Sequence, residues 1–529
     1  LTVREEILTM KTVFVFMCLA ALAFADVYMH NPRGSNNRVD ENANAPANRL
    51  FDSQNNNQAG YNRGEEGDMM MYYATSQLMV SWTSQHACGE NPQTHCDMII
   101  QYRCDELMRD GTSTDRPEDD LATPDSEPSA DRGRHEPYVN WYECEIRSRN
   151  AGLFIADQNV GNEAKNTRQN PGGGRSGYEC PEERDYYPYW HPSYWKDVAV
   201  MTDNVTRCDY YQKESQNVAK KGYCSNIEDN NEEDCRQNGG KWEQQKSFGI
   251  AAPDCVLAPW ARANLHGNAI SEDGDSMEQA HYNMTLPNDV SDACVIRLRY
   301  NMSTNDYDGW ETDAGSNGDA SPVENDPNID FGYGNGELQL NINTAQFGRT
   351  FEDRSHVFKI MKRDSSVKNA ETIYNLNVRG KRGNNAATYP SNEYDFIPNR
   401  MHVTKGDWVH WQWTGSNNNP NGNDRNNALQ MKGDYNTAYP LMADEQTMFE
   451  DKDMANSAAH SCGSNDANLQ DVDPYCNVGL AQMNEPGEYN YMGVKNNAYS
   501  NRSQKGTIIV DNKGVSTGAL IAIIVGAVV

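Results

Sequence analysis

The side chains in this sequence that could do chemistry begin with a scattered set of copper-type donors. A type-1 copper centre takes two imidazoles, one cysteine thiolate and a weak axial thioether. Met492 lies in YMGVKNNAYSNRSQKG, residues 491–506, which brings neither His nor Cys. His410 stands beside Trp411 and Trp413 in KGDWVHWQW. Faces alternate along a strand, so His410 reads as a wall residue rather than a ligand. His402 and His460 are isolated, and Cys462 and Cys476 form the obvious covalent pair. Copper is not expected at this end of the chain.

Other clusters suggest different chemistries. His30 opens HNPRGSNNR, residues 30–38. Some secreted polysaccharide monooxygenases hold copper through the amino group and ring of an N-terminal His. A copper-dependent carbohydrate oxidase using His30 is therefore the alternative function, and it needs cleavage after Met29. The bland reading is an arm packed on the first domain. The 305–330 loop, NDYDGWETDAGSNGDASPVENDPNID, concentrates Asp306, Asp308, Glu311, Asp313, Asp319, Asp326 and Asp330. Calcium favours several oxygen ligands, so Asp306, Asp308 and Asp313 are candidate ligands, although the EF-hand spacing is not met. A solvated acidic loop is the simpler expectation. In YYPYWHPSYW, Trp190 and Trp195 are either a sugar-stacking platform or packing. No nucleophile elbow, H-E-x-x-H, phosphate loop or dinucleotide fingerprint occurs, and no catalytic residue is assigned.

The chain has 529 residues and a formal charge of −30. Such a surface repels nucleic acid and anionic membrane. Met10, Lys11 and TVFVFMCLAALAFA, closing on Ala23-Phe24-Ala25, read as a signal peptide cleaved before Asp26. After Lys513, GVSTGALIAIIVGAVV reads as a hydrophobic membrane anchor, either a cut-off span or a tail exchanged for lipid. Residues between are expected outside the cell. Of thirteen cysteines, Cys18 leaves with the signal and twelve remain. Ten fall at Cys88, Cys96, Cys104, Cys144, Cys180, Cys208, Cys224, Cys235, Cys255 and Cys294, and two at Cys462 and Cys476. Even counts in a secreted chain argue for disulfides, with connectivity open. Sequons at Asn204, Asn283, Asn301 and Asn501 mark sites for N-linked glycans.

The elements that must position these groups are strands. CVIRLRYNMST, ELQLNINTAQF, HVFKIMKR, TIYNLNVRG and RMHVTKGDWVHWQW alternate in character, the pattern of half-buried strands. MMMYYATSQLMVSW and CDMIIQYRC add short β-type runs. Residues 26–60 are Asn-rich and offer little to a core, which predicts an extended or looped arm. Helical periodicity is nearly absent. The expected fold is all-β: a leader and signal at 1–25, a Cys-rich N-terminal β domain at 26–283, a middle β-sandwich region at 284–394, a further sandwich at 395–512, and the anchor at 513–529.

Two resemblances sharpen this. KGDWVHWQW at 405–413 and PGEYNYMGVKNNAYSNRSQKGTIIVD at 486–511 resemble cupredoxins, Greek-key sandwiches, in type, order and spacing. In that family the first strand precedes the region of the first His ligand, and the remaining ligands sit in the loop before the final strand. The resemblance implies a cupredoxin-like domain, here without its copper ligands. HNPRGSNNR (30–38), NRLFDSQNNNQAGYN (48–62), IRLRYNMSTNDYDGW (296–310), LNINTAQFGRTFEDRSHVFKI (340–360) and YMGVKNNAYSNRSQKG (491–506) resemble the secreted, O-glycosylated DD-three-three family of social amoebae and other protists. That implies a secreted or surface glycoprotein and carries no catalytic residues across. The expected role is non-catalytic: adhesion, coat or matrix structure, or glycan binding, with glycans or other surface proteins as partners and no cofactor.

Overall fold

The computed structural model describes residues 27–34, 69–84, 94–105, 154, 187–258, 269–340, 349–380, 394–415, 424–463, 475–495 and 504–512, with short gaps inside these spans. The leader, Cys88, Cys144, Cys180, Asp306, Asp313, Asn501 and the 513–529 tail lie outside the described residues.

The chain is built from strands in several sheets, with short helices at Cys208–Glu214, Glu232–Gln237 and Lys452–His460. One seven-stranded sheet runs through both halves of the chain. It holds Val27–Asn31, Gln77–Ser84 and Ala280–Thr285 from the first half. Ile373–Val378, Phe396–Ile397, Trp408–Thr414 and Tyr475–Gln482 complete it. A second seven-stranded sheet holds Met71–Tyr73, Thr94–Cys104, Lys196–Thr202, Asp254–Leu257, Ser291–Thr304, Arg349–Arg354 and Phe358–Met361. A four-stranded sheet holds Arg400–Thr404, Leu429–Gln430, Gly487–Met492 and Lys505–Asp511.

Strand alternation explains how these sheets stack. Leu78, Val80 and Trp82 share one face of their strand, and Ile296, Leu298 and Tyr300 share one face of theirs. The two rows meet in a buried core with Val27, Met29, Ile100, Phe358 and Ile360. Each such side chain gains about 1.5–3 kcal/mol from burial. A second core lies between the shared sheet and the four-stranded sheet. Val409, Trp411 and Trp413 project into it and meet Tyr489, Tyr491, Ile508 and Val510. Trp411 and Tyr491 pack edge-on at 4.9 Å. This is the cupredoxin-like sandwich. A register shift between Trp411 and Gln412 falls opposite Gly479, whose φ of +108° only glycine adopts readily.

Two expectations change. CVIRLRY was read as half-buried, yet Ala293–Tyr300 is buried on both faces. The basic face is roofed by 187–195. Arg297 donates to Gln101 Oε1 at 2.6 and 3.0 Å and to Tyr189 OH at 2.7 Å, and its guanidinium lies 4.1 Å from the Trp195 ring centroid. Residues 27–34 are not a loose arm either. They are wholly buried, because their backbone pairs along Gln77–Ser84 and their polar atoms find partners inside the fold.

Four disulfides cross-link the described residues: Cys104–Cys294, Cys208–Cys255, Cys224–Cys235 and Cys462–Cys476. Cys96 is disulfide-bonded as well. Among the described residues no helix is long and apolar enough to cross a membrane.

Candidate functional site

The segment after Trp408–Thr414 and the loop before Lys505–Asp511 come together at one end of the closing sandwich. In a copper protein of this shape the ligands stand here. Asn427 Oδ1 accepts from the backbone N–H groups of Val494 (2.7 Å) and Lys495 (3.0 Å), which fixes the start of the loop. Gln504 Nε2 donates to Asn426 Oδ1 at 2.9 Å, and Asn426 Nδ2 donates to Asp424 Oδ1 at 3.2 Å. Lys495 Nζ donates to the His460 carbonyl at 3.0 Å. Gly493 is required by crowding, because a Cβ there would collide with the Gln504 side chain. A side chain at that point would have to displace the Gln504 amide.

Among the described residues, the side chains of this network are the amides of Asn426, Asn427 and Gln504, the Asp424 carboxylate and Lys495. Soft thiolate and imidazole donors are what select copper, so these residues do not fit the metal of the fold. The neighbouring undescribed stretches, 416–423 and 496–503, contain no His, Cys or Met in their sequence. His410 is elsewhere. It is fully buried on the opposite face of its strand, with Nδ1 at 3.2 Å from Asn375 Oδ1 and Nε2 at 3.0 Å from Asn477 Oδ1. Burial pushes its pKa down to about 4, against a smaller upward pull from Asn477. It is a neutral core residue. His402 lies at the sheet edge, 3.5 Å from Asp511. Met492 is buried and pairs with Leu429 in the ladder.

A second constellation, matching none of the sequence motifs, stands on the other large sheet. His95 and Asp97 project from one face of Thr94–Cys104, two residues apart. Asp203 follows the neighbouring Lys196–Thr202 strand. His95 Nδ1 lies 2.7 Å from Asp203 Oδ1, and Nε2 lies 3.5 Å from Asp97 Oδ2. Tyr211 OH donates to Asp97 Oδ2 at 2.7 Å, and Arg207 Nη1 reaches His95 Nε2 at 2.7 Å. Among the described residues this is the one group of three close side chains of metal-ligating type. Burial works to lower the His95 pKa, but hydrogen bonds to Asp203 and Asp97 outweigh it and raise the value to about 9. A proton and the Arg207 guanidinium compete for Nε2, since both cannot occupy it. The raised pKa keeps the ring protonated, so two cations, His95 and Arg207, face the Asp97 and Asp203 carboxylates and cross-link two strands and a short helix. The signal that could have found it is the His-x-Asp spacing on a strand.

The remaining sequence candidates are dispersed. His30 lies inside the Val27–Asn31 strand, fully buried, with Nε2 at 2.8 Å from Thr83 Oγ1. A histidine–amine copper site would need this strand cut after Met29, between residues that pair with Gln77–Ser84. Trp195 is 3% exposed, with the Arg297 and Arg354 guanidinium groups 4.1 and 5.1 Å from its ring centroid, so its faces are not open to a sugar. Trp190 is half-buried, edge-on to His191 at 4.7 Å. Asp308 is exposed. Asn204 Oδ1 caps a turn by accepting from Thr206 N (3.1 Å) and Oγ1 (2.6 Å). Asn283 is exposed. Asn301 lies between two strand partners, Asp97 and Thr350.

Comparison with known proteins adds the following. A family model described as the DD3-3 N-terminal domain matches residues 25–360. One described as the DD3-3 cupredoxin-like domain matches residues 371–510. Among solved structures, a pseudoazurin from Sinorhizobium meliltoi is similar at 14% identity with a TM-score of 0.14, over 26% of this chain and 73% of that one. No curated protein matches.

Proposed function

The chain belongs to the DD3-3 family, and from that premise we propose that it is a non-catalytic secreted or cell-surface glycoprotein. Its role is adhesion, coat or matrix structure, or glycan binding. The observation that carries this reading is the end of the cupredoxin-like sandwich, where Asn426, Asn427, Gly493 and Gln504 stand in the region of copper donors. A redox protein of this shape would need that end for its metal.

Disulfide cross-links support the location. Glutathione keeps most cytosolic thiols reduced, whereas oxidising compartments let such bonds persist. Exposed Asn283 and turn-capping Asn204 suit glycosylation. Surface aromatics offer stacking faces for sugars: Tyr333 is 78% exposed and Tyr439 65%.

The test is to present the purified ectodomain to a glycan array and to cells. We expect binding with the sugar recovered unchanged. Oxidised sugar products or oxygen consumption by the purified chain would overturn the reading.

A further inference from the structure

A buried arginine from the N-terminal segment reaches the same end of the sandwich. Arg33, in the HNPRG stretch, donates from Nη1 to Asp424 Oδ2 and from Nη2 to Asp424 Oδ1, each at 2.8 Å. Its Nε lies 3.4 Å from the Val378 carbonyl, and its guanidinium lies 5.2 Å from the Tyr394 ring centroid. The side chains are 5% and 0% exposed. The backbone around it is clamped: Gly380 N donates to His30 O at 2.8 Å, and His356 N donates to Arg33 O at 3.1 Å. Gly34 follows, where a Cβ would overlap the Asp353 carboxylate.

The polar path then runs on without a break. Asp424 takes Asn426 Nδ2, and Asn426 takes Gln504 Nε2. One end of this path is the guanidinium, and the other is the loop in which a cupredoxin carries its ligands. We propose that Arg33 is the resident cation of this end: Asp424, Tyr394 and the Val378 carbonyl form a guanidinium-binding socket whose ligand is the chain's own N-terminal segment. The ligand class is an alkylguanidinium. The assignment stands independently of the proposed function.

Charge dictates the pairing. A carboxylate with no exposure is strongly destabilising unless it is paired and hydrogen-bonded. A guanidinium meets a carboxylate through two parallel N–H bonds and also stacks on an aromatic face, which lysine does not reproduce. Asp424 in turn holds Asn426, and Asn426 holds Gln504, so the pair is wired to this end of the sandwich. Folding of the closing sandwich is thereby tied to docking of residues 27–34.

The test uses the full ectodomain. Arg33→Gly should lower the melting temperature by about 3–5 °C, since breaking a buried pair leaves one charge alone. Millimolar ethylguanidinium should restore much of that loss, and Cu²⁺ should restore none. In Arg33→Gly/Asp424→Leu the additive should have no effect. A parent-like melting temperature for Arg33→Gly, or recovery with Cu²⁺ instead of ethylguanidinium, would overturn the assignment. If Arg33→Gly does not fold, a double-mutant cycle decides. Arg33→Met and Asp424→Leu should each be less stable than the pair of changes together, and purely additive effects would contradict the socket.

Discussion

His410 and His95 are two histidines that neighbouring groups push in opposite directions, and each makes stability depend on pH in its own window. His410 has a folded pKa of about 4 against an ordinary 6.5. The unfolded chain therefore binds a proton that the folded chain refuses, and stability falls as the pH drops from about 6.5 towards 4. His410→Gln should flatten that acid limb in a series of urea titrations; an unchanged limb would mean that other groups set it. His95 has a folded pKa near 9. Its contribution is fully present below about 6.5 and is lost as the pH rises through 9. Asp203→Asn removes the shortest contact, at 2.7 Å, so the His95 ring should titrate at least one unit lower by NMR. An unmoved titration would show that Asp97 alone holds the proton. Strand alternation marks His410 as a wall residue, and the His-x-Asp spacing at 95–97 is open to view. What the sequence does not show is the partners that set each titration: Asn375 and Asn477, distant in the chain, stand on either side of His410.

The strands were largely legible and their surroundings were not. Period-two alternation marks Phe358–Met361, Ile373–Val378, Arg400–Thr404 and Trp408–Thr414, because each presents one row of apolar residues to a core. Alternation does not say what covers the opposite row. That is why Arg297 and Arg299 read as solvent-facing although the 187–195 segment buries them. The Asn-rich start misled for a related reason. Polar composition signals exposure on average, but His30, Asn31 and Arg33 each find partners from the other half of the chain or from Gln77–Ser84. ELQLNINTAQF was expected to form a strand, and only Leu338–Gln339 of it does so among the described residues, in an exposed two-stranded ladder. At the metal end, absence of His and Cys was visible in the sequence, whereas the amide contacts replacing them needed the fold. Gly493 is the sharpest case: Gly493→Ala should cost about 1–3 kcal/mol in urea unfolding by overpacking against Gln504. A neutral substitution would show that the loop has room for a ligand side chain.

Across the whole molecule, one sheet carries strands from both family-matched regions, joined where Tyr374 pairs with Gln77 and where Gly380 bonds His30. Two sandwiches that share a sheet and a buried Arg33–Asp424 pair should unfold together, giving one calorimetric transition. Two resolved transitions would place a weaker seam between them than this geometry implies. Cys104–Cys294 closes a separation of 190 residues, and loop-closure entropy assigns it up to about 5 kcal/mol. The paired Ser variant should melt well below the parent. A cupredoxin-like end furnished with the amides of Asn426, Asn427 and Gln504 should hold no copper. Elemental analysis of the ectodomain, purified without chelator and then titrated with Cu²⁺, tests this most directly. The prediction is no copper as isolated and no saturable binding; stoichiometric copper held through dialysis would contradict it.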